Sequence, residues 1–239
     1  MSLEGKRIVI LGGTSGLGFA TAKAAADEGA KVVIASSSQA KVDKANEKLP
    51  AGSEGHAINL LDEDSIKSFF ETVGEFDHLV YTAGDSLQAV EQKDMTFKDA
   101  QGFFGIRYWG AFLATKYGAP KIRAGGSIVL TSGMASRRSR KGWSVISSIC
   151  GATEALGRAL AVELAPLRVN VVCPGTIRTE LWDNLPEAAR EAMYQRAEQN
   201  LLVKHVGEAE EVAQAYLYLM RGGFTTGQVV VTDGGASVG

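Results

Sequence analysis

The 239-residue sequence predicts an α/β fold, a doubly wound parallel sheet of about seven strands with helices on both faces. Three observations predict it. Apolar stretches of strand length alternate with longer helical stretches along nearly the whole chain. The strands are near-continuous runs of valine, isoleucine and leucine, as strands covered on both faces are. The first of them runs into a glycine-rich turn and then an alanine-rich helix.

Taken in order, residues 6–11 are strand one, and 16–29 a helix closed by Gly29. Residues 31–35 are strand two and 38–49 a helix. A short strand at 55–59 precedes a helix at 62–73, with Asp62 placed to cap it. Residues 77–82 are strand four, and 98–120 a long helix running to Pro120. Strand five is 126–132, and a second long helix, 143–164, is ended by Pro166. Strand six, 168–173, is stopped by Pro174-Gly175. A helix at 208–220 and a strand at 228–232 complete the pattern. Right-handed crossovers then place the residues that follow each strand along one edge of the sheet, where ligands bind.

The bulk numbers set bounds. Residues 1–239 are expected to form one domain. Composition is 45% hydrophobic and 22% charged, with a net charge of −2, and proposes neither nucleic acid nor an anionic membrane as partner. No apolar run approaches the roughly 18 residues of a membrane span. Residues 1–6 lead straight into a strand, leaving no room for a signal peptide. The two cysteines, Cys150 and Cys173, lack metal-type spacing and lie in apolar surroundings, so no metal is expected. A cytoplasmic protein without disulfides is the expectation.

The chemistry starts at Val9 to Gly18, Val-Ile-Leu-Gly-Gly-Thr-Ser-Gly-Leu-Gly. Glycines admit backbone conformations closed to other residues and let a pyrophosphate approach the main chain. The first turn of the following helix then offers free N–H groups and a positive dipole end. The spacing Gly12-x-x-x-Gly16-x-Gly18 resembles that of the short-chain dehydrogenase/reductase family. So do Tyr81-Thr82-Ala83-Gly84, Pro174-Gly175-Thr176-Ile177-Arg178-Thr179 and Val231-Thr232-Asp233-Gly234-Gly235, so that the likeness spans about residues 4 to 236.

The resemblance implies a Rossmann-type fold and a nicotinamide dinucleotide. It assigns to the cofactor the turn residues Gly12, Thr14, Ser15, Gly16, Leu17 and Gly18, then Asn59, Leu60, Ala83, Gly84, Arg107, Pro174, Gly175, Ile177 and Thr179. Ser36, Ser37 and Ser38 stand where an acidic residue would hold the adenine ribose diol and prefer NAD. Their hydroxyls, with Lys41 nearby, suit a 2′-phosphate, so NADP(H) is favoured over NAD(H). Equally, a serine here caps the next helix.

The usual family chemistry uses an asparagine, a serine and a Tyr-x-x-x-Lys pair. Flanking register puts those positions on Arg107, Gly133, Ile146 and Cys150. A slip of one residue restores Ser132; no slip restores the pair, since no tyrosine lies between Tyr117 and Tyr194. Loss of a positioned general acid costs roughly 10²- to 10⁴-fold in rate. Arg107 and Ser132 are therefore the remaining catalytic candidates. Arg107 can stabilise an oxyanion but cannot act as an acid near neutral pH. Cys150, without a histidine nearby in sequence, reads as a structural thiol. The basic loop Arg137-Arg138-Ser139-Arg140-Lys141 is either a solvated loop or a docking surface for an anionic substrate.

Two functions follow as expectations. One is a non-standard NADP(H)-dependent oxidoreductase acting on a small apolar or conjugated acceptor such as a quinone. The other is a non-catalytic dinucleotide-binding sensor or scaffold. The segment 180–204, with Leu181, Trp182, Leu185, Met193 and Tyr194, occupies the place of the family's substrate lid. Apolar residues beyond one stripe of the two long helices, such as Phe112, Leu113, Ile149 and Leu156, point to a homodimer or homotetramer.

Overall fold

The computed structural model describes residues 2–86 and 88–239. Met1, which opens the segment read as leaderless, lies outside them. The order of elements is β1 (Arg7–Leu11), α1 (Gly16–Asp27), β2 (Lys31–Ser36), α2 (Gln39–Asn46), β3 (Glu54–Ala57), α3 (Glu63–Val73), β4 (Phe76–Tyr81), α4 (Phe97–Phe104) and α5 (Ala111–Gly118). Then follow β5 (Ile122–Thr131), α6 (Ser144–Glu163), β6 (Arg168–Pro174), β7 (Ile177–Arg178), α7 (Glu187–Asn200), β8 (Gly207–Glu208), α8 (Ala209–Arg221) and β9 (Val229–Thr232). Seven strands form one parallel sheet in the order β3-β2-β1-β4-β5-β6-β9, and β7 and β8 pair separately. The order reverses between β1 and β4, which fixes the ligand crevice above their C-terminal ends.

Alternate residues of each strand feed two cores. Val9, Leu11 and Val33 meet α3, α5 and α6 through Phe70, Ala114 and Leu160. Ile8, Ile10 and Ile34 meet α1 and α8 through Ala22, Ala25 and Leu219. Asp62 caps α3 as the sequence suggests, its carboxylate accepting from the N–H groups of Asp64 and Ser65.

One expectation needs correction, and two features add to the reading. The helix read at 98–120 is two helices joined by a π-helical turn, Gly105–Gly110. The 180–204 segment, expected as a lid, contains a helix, α7, which the sequence pattern does not announce: only Tyr194 is buried along it, so there is no apolar stripe to see. And α6, at 20 residues, is by length and mean hydropathy apolar enough to cross a membrane, although Glu154 and Arg158 keep it from being one apolar run. It packs against β6, and Ile146, Ile149, Gly157 and Leu160 are among its buried residues.

Candidate active site

The glycine turn is shaped by close approaches rather than by side chains. Gly12 has φ +86°, and a Cβ there would stand 2.6 Å from the Ala83 nitrogen. A Cβ at Gly18 would stand 2.2 Å from the Gly12 carbonyl oxygen, so helix α1 starts against the turn only because that position is bare. Thr82 locks the turn from the neighbouring strand end, donating to the carbonyls of Leu11 and Gly12 at 3.1 and 3.3 Å.

A cleft of about 490 Å³ runs from this turn in both directions. At one end it is lined by Ser36, Ser37, Lys41, Asn59 and Leu60. Asn59 already uses its Oδ1, which accepts from the Leu61 N–H at 3.0 Å. Of the two roles expected of the serines, Ser38 takes the capping one: its hydroxyl accepts from the Lys41 N–H and caps α2, and the residue does not line the cleft. The middle is lined by Gly12, Thr14, Ser15, Gly16, Leu17, Gly18, Ala83 and Gly84.

The other end holds Arg107, Ser132, Gly133, Ile146 and Cys150 together. Arg107 sits in the π-helical turn, and its guanidinium crosses Gly84, where a Cβ would stand 2.6 Å from Cζ. One Nη donates to the Asp85 carbonyl oxygen, while Nε is buried without a partner among the described residues. Burial lowers its pKa from the ordinary arginine value, against the opposing pull of Cys150 and Asp85. The turn itself is held by Tyr81, whose hydroxyl donates to the Ile106 carbonyl. Burial keeps that phenol protonated, so Tyr81 is a strut. The Cys150 thiol is pushed up to about 11 by burial, and no thiolate is available at neutral pH. Gly133 faces it: a Cβ there would stand 3.3 Å from Sγ. No tyrosine lines the cleft among the described residues. Tyr216 of α8 is fully buried, and its hydroxyl bonds to Thr131 at 2.7 Å.

Beyond β6, Pro174, Gly175, Thr176 and Thr179 line the cleft. Gly175 lets the chain pass β9, since a Cβ would stand 2.7 Å from Asp233 Cα. Ile177, which the resemblance assigns to the cofactor through its backbone, buries its side chain in the second core, between Thr176 and Thr179 of the cleft lining. The 180–204 segment is tied down by Arg178, which pairs with Glu198 at 3.1 Å and lies over the Tyr194 ring at 4.3 Å.

Two acidic residues escaped the sequence reading. The Glu180 carboxylate, at the root of the lid, accepts from the Gly16 N–H at 2.9 Å. An anion of the chain thus rests on the N–H that starts α1. Glu154 lies buried on α6 behind Ser132. In sequence both resemble ordinary polar positions, and nothing but the folded geometry marks them.

A bare, positively polarised turn in the middle of an elongated cleft fits an extended ligand with an anionic centre. That is the class of Rossmann-type dinucleotide-binding proteins. A family model described as enoyl-(acyl carrier protein) reductase matches residues 12–237. The chain is 39% identical over 251 residues to the short-chain dehydrogenase/reductase ATR9 of Stachybotrys chlorohalonatus, covering 98% of each. A solved small-chain dehydrogenase in complex with NADPH is 37% identical, with a TM-score of 0.84 over 99% of this chain and 100% of that one. The MalC reductase/Diels-Alderase of Malbranchea aurantiaca is 32% identical, with a TM-score of 0.91 over 98% and 97%. The chain belongs to the short-chain dehydrogenase/reductase family, a family of oxidoreductases.

Proposed function

We propose that this protein is a non-standard NADP(H)-dependent oxidoreductase acting on a small apolar or conjugated acceptor such as a quinone. The observation that carries the reading is Arg107, whose buried Nε has no partner among the described residues, at the cleft end that also holds Ile146 and Cys150, onto which flanking register puts the usual tyrosine and lysine. Bound there, the nicotinamide supplies or accepts a hydride. Arg107 holds the negative charge that develops on the acceptor oxygen. Conjugated acceptors suit this arrangement because their reduced forms are stable anions and need no strong acid alongside. Ser36, Ser37 and Lys41, and the NADPH held by a structural relative, support the phosphate-bearing cofactor.

The test is titration of NADPH and NADH against intrinsic fluorescence from Trp109, Trp143 and Trp182, followed by NADPH oxidation with quinones, enones and simple carbonyls. NADPH is expected to bind more tightly than NADH. Arg107→Ala is expected to lower kcat/KM about 100-fold, as loss of one oxyanion donor does. Binding without turnover on any acceptor would favour the second reading, a non-catalytic dinucleotide sensor or scaffold. That reading draws on Ile146 and Cys150, neither of which can release a proton readily. Association into a homodimer or homotetramer belongs to the same proposal. Leu113 and Leu156 are spent on the core, but Trp109 and Phe112 stay 55% and 38% exposed. A monomer by light scattering would remove it.

A further inference from the structure

The basic loop at 137–141 sets four cations in five residues just ahead of α6, and the reading above gives none of them a task. Two are answered within the chain. Arg137 Nη2 stands 3.7 Å from a carboxylate oxygen of Glu154, and Lys141 Nζ stands 2.8 Å from one of Glu91. Arg138 and Arg140 have no carboxylate within ion-pair reach among the described residues, and of these two only Arg140 lines the cleft. The loop is stapled in place. The Trp143 N–H donates to the Arg140 carbonyl oxygen at 3.0 Å, and the Val90 N–H donates to that of Gly142 at 3.0 Å. The Arg140 guanidinium lies over the Trp143 ring at 5.2 Å. A ring attracts the cation without supplying the lone pairs its N–H fork is shaped for. Trp143 also lines the cleft, beside Ile146, Leu181 and Trp182. Trp182 is fixed there, its indole N–H donating to the Ile177 carbonyl oxygen at 3.0 Å. The carboxylates of the cleft lining are those of Asp85 and Glu180. Asp85 pulls on Arg107, and Glu180 rests on the Gly16 N–H. An apolar, aromatic cleft end thus carries one guanidinium, that of Arg140, whose charge nothing in the lining answers.

We propose that the acceptor is an aromatic acid: a conjugated ring system that bears a carboxylate or sulfonate and sets that anion on Arg140. The proposal rests on the oxidoreductase reading and narrows its substrate class. The planar fork of an arginine matches either anion with two parallel hydrogen bonds. The ring system fills the space beside Trp143, Ile146 and Trp182. The two arginines then divide the work. Arg107 meets a charge that arises on the acceptor oxygen only as hydride arrives. Arg140 meets a charge that is present from the start and is bound alike before and during the reaction. An interaction of that uniform kind lowers KM and leaves kcat as it was. Arg140 is therefore a specificity residue, and a neutral analogue of the acceptor binds less tightly but turns over as fast once bound.

The experiment uses a matched pair of acceptors, 9,10-phenanthrenequinone-2-carboxylate and the neutral 9,10-phenanthrenequinone-2-carboxamide, each with NADPH. Wild type is compared with Arg140→Gln, Arg140→Lys and Arg138→Gln. In wild type the KM of the carboxamide is expected to exceed that of the carboxylate about tenfold, the scale of hydrogen bonding to a charged group, with kcat alike for the two. Arg140→Gln is expected to bring that ratio to about one, Arg140→Lys to restore it in part, and Arg138→Gln to leave it unchanged. Independently of turnover, quenching of tryptophan fluorescence by each quinone reads its Kd, which is expected to follow the same ratio. A wild-type ratio near one, a ratio untouched by Arg140→Gln, or a ratio lost as fully in Arg138→Gln would each overturn the acid acceptor alone, with quinone reduction still standing. A wild type that reduces neither probe overturns the oxidoreductase reading and the acceptor class with it.

Discussion

At the N-terminal ends of the strands, Asp77 gathers Lys6 at 3.1 Å, Arg123 at 3.2 Å and the Arg7 N–H at 2.9 Å. At the C-terminal ends, Arg107 has, among the described residues, a single backbone carbonyl and a buried Nε with nothing to bond. The contrast extends to their neighbours. Arg168 spends its guanidinium on the carbonyls of Leu219 and Met220, and His78 shares a hydrogen bond with Ser127 at 2.9 Å. Across the sheet, Glu180 sits on a turn built for some other anion. A charge answered within the chain holds the fold together. A charge left wanting, or answered by a stand-in, marks where something else belongs.

The comparison breaks first at the answered end. Burial alone would raise the Asp77 pKa, but the Arg7 N–H, Lys6 and Arg123 together hold it below the ordinary value. Asp77→Ala leaves the Arg7 N–H without its acceptor and returns the half-exposed Lys6 and Arg123 to water, and is expected to cost about 3 kcal/mol of unfolding free energy. Nucleotide affinity is expected to stay as it was, with denaturant melts and fluorescence titration reading the two. An equal loss of affinity would show that the two ends are not separate.

Next comes pH. Burial lowers the His78 pKa from 6.5 to about 4. Below pH 6.5 the unfolded chain takes up a proton that the folded one refuses until about pH 4. Stability therefore falls across that window and this contribution levels off beneath it, by about 3 kcal/mol in all. Urea melts at pH 7, 5.5 and 4 measure the slope, and His78→Gln is expected to flatten it.

The smallest effect sharpens the other end. Glu180→Gln removes the chain's own anion from the Gly16 N–H. NADPH is expected to bind about threefold more tightly, the scale of one charge at a helix N-terminus. Weaker binding would make Glu180 a ligand residue and no stand-in.

What could be read from sequence divides along the same line. The sheet and the glycine turn show plainly because they are made by backbone: bare positions at Gly12, Gly16 and Gly18 leave a spacing that survives in one dimension. The reaction end is made by side chains from β5, α6 and the π-helical turn. There, register could name Arg107, Gly133, Ile146 and Cys150 as positions. It could not say which atoms go unpartnered. Glu154 is invisible in sequence because a glutamate on a helix ordinarily faces water. Ser38 and Ile177 each do a local job, one capping α2 and the other filling the core with its side chain, that the same residue types do anywhere, so register alone could not say which of the three serines would cap.

The π-helical turn at Gly105–Gly110 has a bearing on shape as well as charge. Each residue advances a helix by about 100°, and a wider turn takes one residue more than its α counterpart. Downstream of it, α5 is therefore rephased relative to α4. Ala111, Ala114, Thr115 and Gly118 come round to the buried side, while Trp109 and Phe112 stack edge to face at 6.2 Å on the outside. The one surplus residue that aims an arginine inward also turns two aromatic rings outward, so the interior of the cleft and the outer wall of the molecule share a single phase error.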